Sequence, residues 1–324
     1  MRSSIILLHG IGQQSHTAGS YAASVRKAAV AGMRSSRYTG LANHEQTGEI
    51  KLRPVFYGDL FANWQAQGDD PMVATALDPV QRELEEQLAL ALLGGLAARA
   101  EDDADRETAA AALIAAGVER ADLTQAQASR LRRDAADIVG RLLSTRWAGG
   151  HRLARVMVDR APRVSWLPLR EVSDYLLHHR EAIQQRLLDA LAPGDVRVVI
   201  AHSLGSVVAW ETLARCGMSL PLLVTVGSPL GIRGAIYDRL KPTPPCWPGG
   251  VQAWTNLSAP NDIVATPQEL GSLFPSPHGR PLLDDAVQVR SVMPLGPHAF
   301  NRYLEAAKVW HPVAMALDKR EEAR

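Results

Sequence analysis

The chain has 324 residues, 46% hydrophobic and 21% charged, with a formal net charge of +1. That balance describes a globular protein with material for a sizeable core, and it excludes an electrostatic footprint for nucleic acid or an anionic membrane surface. The longest apolar stretch, Leu88–Ala98, falls far short of the ~20 residues that span a bilayer, and Cys216 and Cys246 make neither a zinc-finger spacing nor a disulfide framework; a cytoplasmic protein is expected, with one disulfide left open.

The chain opens on MRSSIILLHG. It reads as a first strand, Ile5–Leu8, running into a glycine turn, and not as a signal segment. The turn, His9-Gly10-Ile11-Gly12-Gln13-Gln14, can aim backbone N–H groups inward because Gly10 and Gly12 tolerate unusual dihedrals. No Gly-Lys-Ser/Thr follows it, so it is not a phosphate-binding loop. A second apolar run, Lys51–Tyr57, ends in FYGDL and places Tyr57 and Asp59 at a strand end. Residues 61–164 contain no convincing strand. Leu84, Leu88 and Leu92 recur every fourth residue, as do Leu131, Ala135, Ile138 and Leu142, with the polar AEDDADRET between them. This predicts a helical insertion, longer than one crossover requires, that serves either as packing or as a lid. The apolar Leu88–Leu96 run within it is either core or the lining of an acyl pocket.

Past the insertion, strand and helix alternate. A helix is predicted over Glu171–Leu191, a strand over Val196–Ala201, a helix over Gly205–Cys216, and strands over Leu222–Val226, Val251–Leu257 and Ala286–Val292. PTPPCWPGG is a stiff loop, and a last helix spans Ala299–Asp318. Short runs that are apolar on both faces are the mark of a buried parallel sheet, so the predicted fold class is α/β with a mostly parallel sheet of about six strands. The core comprises 1–60 and 165–318, and 319–324 is a C-terminal tail.

VVIAHSLGSVVAW is a strand, a tight turn and a helix, with Ser203 at the apex and the small residues Ala201 and Gly205 two positions to either side. That spacing lifts a serine hydroxyl above the C-terminal edge of a sheet and sets it at a helix N-terminus, where negative charge is favoured. A hydroxyl becomes a nucleophile only when a base takes its proton and an acid orients that base. Asp262 follows the strand Val251–Leu257, and His298 follows Ala286–Val292 in a Gly/Pro loop. Both occupy strand ends, where open α/β sheets build their sites. In isolation Asp262 would be a turn or helix cap, and His298 a helix-start residue. Asp284 and Asp285 precede a strand, Asp238 lies in a helix, His278 in a Pro-rich loop and His311 deep in the last helix. His202 is read as structural. The Leu204 and Ile11 N–H groups are the expected oxyanion donors. His9, Gly10, Gly12 and Gln13, with Gln14, would support that loop. Tyr57 and Asp59 are either substrate contacts or a capped strand-end turn.

HGIG at 9–12, AHSLGS at 201–206, TVGSPLG at 225–231, NLSAPNDIVAT at 256–266 and GPHAF at 296–300 together resemble the α/β-hydrolase superfamily, and Gly-Ser-Pro-Leu is similar to its lipase-like branch. The resemblance covers about 1–60 and 165–318. It implies a sheet lacking the parent fold's first two strands, with the insertion between the second and third strands of this chain. It implies a serine esterase working through an acyl-enzyme, without metal or organic cofactor, on a small or lipid-like acyl ester. Acyl transfer and amide or thioester hydrolysis use the same residues and stay open. So does a non-catalytic module whose helical insertion binds a protein partner.

Overall fold

The computed structural model describes residues 3–38, 40–61, 78–99, 106–107, 109–111, 113, 167–276, 279, 281–289 and 298–318. The second leucine repeat, most of the insertion and its polar connection, His278 and the C-terminal tail lie outside the described residues.

One six-stranded, all-parallel sheet runs in the order β2-β1-β3-β4-β5-β6. The strands are β1 (Ser3–Leu8), β2 (Ile50–Val55), β3 (Val196–His202), β4 (Leu220–Val226), β5 (Val251–Ser258) and β6 (Leu283–Ala286). The helices are α1 (Ala18–Ser35), α2 (Gly40–Gln46), α3 (Pro79–Arg99), α4 (Leu167–Asp174), α5 (Arg180–Leu191), α6 (Leu204–Cys216), α7 (Phe300–Glu305) and α8 (Trp310–Asp318). The chain steps outward from β1 to β2 and returns on the other side of β1 as β3. The order therefore reverses between β1 and β3, where open α/β sheets leave a crevice at their C-terminal edge.

Alternation along the central strands divides the core in two. Ile6, Leu8, Val199 and Ala201 face α3 to α6, joined by Leu84, Leu88, Leu92, Leu187 and Val207. Ile5, Leu7, Val198 and Ile200 face the other layer, joined by Tyr21 and Val25 of α1, Trp310 and Val313. Leu88, Ala89, Leu92 and Leu93 are core. Among the described residues no helix is long and apolar enough to cross a membrane. Both cysteines are free thiols.

Three predicted elements differ. The last strand is Leu283–Ala286, where Ala286–Val292 was expected. Asp284 belongs inside it because its carboxylate accepts from Asn256 Nδ2 at 2.9 Å and from the Leu270 and Gly271 N–H groups at 2.9 and 2.7 Å. Val287 and Val289 lie past the pairing and pack on the α1/α8 core, and 290–297 fall outside the described residues. The helix expected over Glu171–Leu191 starts earlier, at Leu167, and passes through a π-helical turn at Tyr175–His179. The C-terminal helix breaks at Ala306, which is extended, and a 3₁₀ turn at Ala307–Val309 leads into α8. There Trp310 folds back and donates its indole N–H to Leu304 O at 2.8 Å, satisfying a carbonyl at the end of α7.

Candidate active site

Leu8 of β1 is in register with Ala201 of β3, so the chain leaving each strand lies side by side at the crevice. Ser203 follows β3 with φ 51 and ψ −128, the one described non-glycine residue with positive φ. A side chain pays strain in that region, and it persists only where the surroundings fix it. Here the Ser203 N–H donates to Val226 O at 3.2 Å, and its carbonyl accepts from Ser206 N–H at 2.8 Å and Ser206 Oγ at 2.6 Å.

Two glycines let the two loops touch. A Cβ on Gly205 would stand 2.2 Å from His9 O, and one on Gly10 would stand 2.5 Å from Ser203 Cβ. Ala201, the small residue two positions before Ser203, has its methyl fully buried.

His298 Nε2 lies 3.0 Å from Ser203 Oγ, and His298 Nδ1 lies 2.9 Å from each carboxylate oxygen of Asp262. Asp262 is 1% exposed. Burial alone would raise its pKa, but the His298 imidazole, the Tyr303 hydroxyl and the Val264 N–H outweigh burial and hold it below the ordinary carboxylate value. An ionised Asp262 accepts from Nδ1–H, which leaves Nε2 free to accept the Ser203 hydroxyl proton. Gly227, at φ 56, passes beneath: a Cβ there would meet Asp262 Oδ2 at 2.8 Å and His298 Nδ1 at 3.2 Å.

His202 lies behind His298. It donates Nε2–H to His298 O at 2.6 Å and stacks on Phe300 at 5.1 Å. Burial, then the neighbouring His298, pushes its pKa well below the usual imidazole range, so it is neutral. His9 is likewise buried and neutral, with a pKa lowered to about 3 mainly by burial. Its tautomer follows from its partners: Nε2 accepts the Tyr57 N–H at 3.0 Å, so Nδ1 carries the proton and donates to Gly10 O at 2.6 Å. Tyr57 is fully buried, stacks on His9 at 3.8 Å and donates its hydroxyl to His9 O at 2.6 Å. It braces the glycine loop from behind. Asp59 points elsewhere, to an exposed pair with Arg186 at 2.8 Å. Gln13 Nε2 donates to Ile11 O at 3.4 Å within the loop. Among the described residues no protein acceptor takes the Ile11 or Leu204 N–H, and Leu204, as the first residue of α6, has no carbonyl one turn back.

Of the rival groups, Asp284 is held by backbone amides, Asp238 accepts the Gly234 N–H at 2.6 Å, and His311 bonds Tyr38 at 2.6 Å. Sequence reasoning missed two residues. Tyr303 donates to Asp262 Oδ2 at 2.7 Å. Glu171 accepts the Gly12 N–H on both oxygens at 3.0 Å. Neither sits in a motif; each becomes visible only when a helix is placed in space.

A cleft of about 380 Å³ flanks His298, with Ile11, Gln13, Tyr21, Val25, Phe300 and Asn301 among its walls. Leu88, Ala89, Leu92 and Leu93 do not line it. Among the described residues no cluster of histidine, cysteine and carboxylate groups is arranged to hold a metal ion. No family model, curated protein or solved structure matches this chain.

Proposed function

We propose that the chain is a serine hydrolase that cleaves carboxylic esters through an acyl-enzyme. The observation that carries this reading is the buried relay from Ser203 Oγ through His298 to Asp262, with links of 3.0 and 2.9 Å, ending at a serine held in a strained turn. A hydroxyl with only a structural role needs neither the strain nor an imidazole aimed at it. Strand order, elbow and glycine loop also fit the α/β-hydrolase arrangement that the motifs resemble.

In this mechanism Ser203 Oγ attacks the ester carbonyl carbon as His298 Nε2 takes the hydroxyl proton. Asp262 holds the imidazole in the required tautomer and faces the imidazolium that forms. The Ile11 and Leu204 N–H groups receive the oxyanion, aided by the N-terminus of α6. The carbon–oxygen bond to the alcohol then breaks, and the leaving oxygen takes the proton back from His298. Water, deprotonated by the same nitrogen, attacks the acyl carbon; the bond to Ser203 Oγ breaks, Oγ takes the proton back from His298, and the acid departs. These steps use side chains and backbone alone.

The test is hydrolysis of p-nitrophenyl esters from acetyl to palmitoyl by wild type and Ser203→Ala, with fluorophosphonate labelling alongside. The expected result is labelling at Ser203 and a loss of about three orders of magnitude or more in kcat for the variant. Equal turnover by both proteins would remove Ser203 as nucleophile. Folded wild type that neither labels nor turns over would favour a binding module on this fold.

A further inference from the structure

We propose that Glu171 is the positioning residue of the glycine loop, holding it through Gly12 as a neutral carboxylic acid; this rests on the serine-hydrolase reading above. Glu171 projects from α4 and is 1% exposed. Both its oxygens lie 3.0 Å from Gly12 N, and Gly12 takes φ 78, a conformation open to glycine. The Gly12 N–H is thereby tied to the protein, one peptide unit from the Ile11 N–H assigned to the oxyanion.

A second observation concerns the proton. The Gln14 side-chain amide adjoins Glu171, and Gln14 Oε1 is buried and has no partner. A carboxylate can only accept, which leaves that oxygen unsatisfied. A neutral carboxyl and a primary amide are complementary: the amide N–H reaches one acid oxygen, and the acid O–H reaches the amide oxygen. Protonation would put a donor on the carboxyl that the Gln14 amide adjoins.

The surroundings agree. From the glycine loop, Glu171 meets the Gly12 N–H and the Gln14 amide. From the end of β2 it meets Tyr57, whose hydroxyl burial pushes well above its usual pKa, with Glu171 adding to that. On the neighbouring helices Glu85 of α3 bonds Ser173 and pairs with Arg170 at 3.8 Å. Among the described residues no cation offsets the burial of Glu171. Burial pushes Glu171 up to about 8, with only the Gly12 N–H and the Gln14 amide opposing.

Ionisation would put a buried negative charge beside the donors that receive the oxyanion, opposing the charge that develops there. Wild-type kcat should therefore fall as the pH rises through about 8. Glu171→Ala should lower kcat at pH 7 by about ten- to a hundredfold with KM within about twofold, because loop placement acts on the transition state. Glu171→Gln keeps an acceptor for Gly12 and cannot ionise. It should restore most of the kcat that the alanine variant loses, and it should remove the alkaline fall.

The experiment measures kcat and KM for p-nitrophenyl acetate from pH 6 to 10 on the three full-length proteins, with fluorophosphonate labelling and thermal melts. A carboxyl raised in the folded state stabilises fully below its unfolded value, and that contribution is lost as the pH rises through the folded value. The melting temperature of Glu171→Gln should therefore gain on wild type up to about pH 8, a readout independent of turnover and of the alanine variant's folding. Labelled wild type with unchanged kcat in Glu171→Ala would overturn the positioning role alone. A melting gap indifferent to pH, or an alkaline fall retained in Glu171→Gln, would overturn the neutral acid. Wild type that does not label would remove the hydrolase reading and this role with it.

Discussion

Tyr303 donates its hydroxyl to Asp262 Oδ2 across 2.7 Å, and that hydroxyl oxygen accepts the Ala259 N–H at 2.9 Å. One side chain on α7 thus fixes both the acid and the backbone of the loop that carries it. Tyr303→Phe should lower kcat/KM about tenfold, or ~1.4 kcal/mol. It should also cost about 1–3 kcal/mol of stability, because the buried Ala259 N–H loses its acceptor. Asp262 is held below the ordinary carboxylate value, so its contribution is complete above that range and is lost as the pH falls through the folded value. Without Tyr303 the folded value rises, and urea midpoints measured from pH 6 to 3 should begin to drop at a higher pH than in wild type.

The adjacent glycines of α3 predict opposite outcomes. A Cβ on Gly94 meets nothing within 4 Å, whereas one on Gly95 would stand 2.5 Å from Ile263 O, the residue after Asp262. Gly94→Ala should be neutral or stabilise by about 0.5–1 kcal/mol, since glycine inside a helix is unfavourable. Gly95→Ala presses on backbone that cannot rotate away. It should cost about 1–3 kcal/mol and displace the acid loop, with a fall in kcat that Gly94→Ala does not share. Thermal melts and ester turnover on the pair would check this.

The parts of the fold that local chemistry dictates were legible in the sequence. Runs such as Val196–Ala201 are apolar on both faces only in a covered parallel sheet, and the spacing Ala201-Ser203-Gly205 serves a tight turn. Asp262 follows the end of β5 as expected, whereas the strand expected ahead of His298, over Ala286–Val292, ends in the structure at Ala286. What escaped was whatever long-range packing decides. The edge strand β6 is exposed apart from the half-buried Asp284, and it pairs there because Asn256 and two loop amides hold Asp284. The break at Ala306 depends on Trp310 reaching back over α7. Tyr57 reads as a strand-end residue in sequence, and its role behind His9 follows from β2 lying beside β1.

The two buried imidazoles set an acid limit. His202 and His9 are held neutral in the fold, mainly by burial, while in the unfolded chain each takes a proton below about pH 6.5. Their share of stability is therefore complete above that value and is lost as the pH falls below it, by up to ~1.4 kcal/mol per pH unit for each ring. Glu171 works in the opposite direction over part of that range, so the effect is best read by difference. Between pH 6 and 5, urea-derived stability of wild type should fall more steeply than that of His202→Gln by about one proton's worth. Parallel slopes would mean that His202 accepts a proton in the folded state.

The cleft beside His298 argues for short acyl groups. Its volume of about 380 Å³ lies near the lower end of the ~300–1,000 Å³ that ligand pockets occupy. Its walls are mixed: Ile11, Tyr21, Val25 and Phe300 are apolar, while Gln13, Ser24 and Asn301 present hydrogen-bonding groups. Asn301 Nδ2 already donates to Ser24 Oγ at 2.9 Å, tying α7 to α1 across the cleft wall. A long alkyl chain gains free energy by covering apolar surface along its length, and this lining interrupts that surface with amides and a hydroxyl that would lose water without gaining partners. In the p-nitrophenyl series kcat/KM should therefore peak at acetyl to butyryl and decline toward palmitoyl. Val25→Trp, which fills the cleft from α1, should depress butyryl turnover more than acetyl turnover. A palmitoyl optimum would mean that the acyl chain lies outside this cleft.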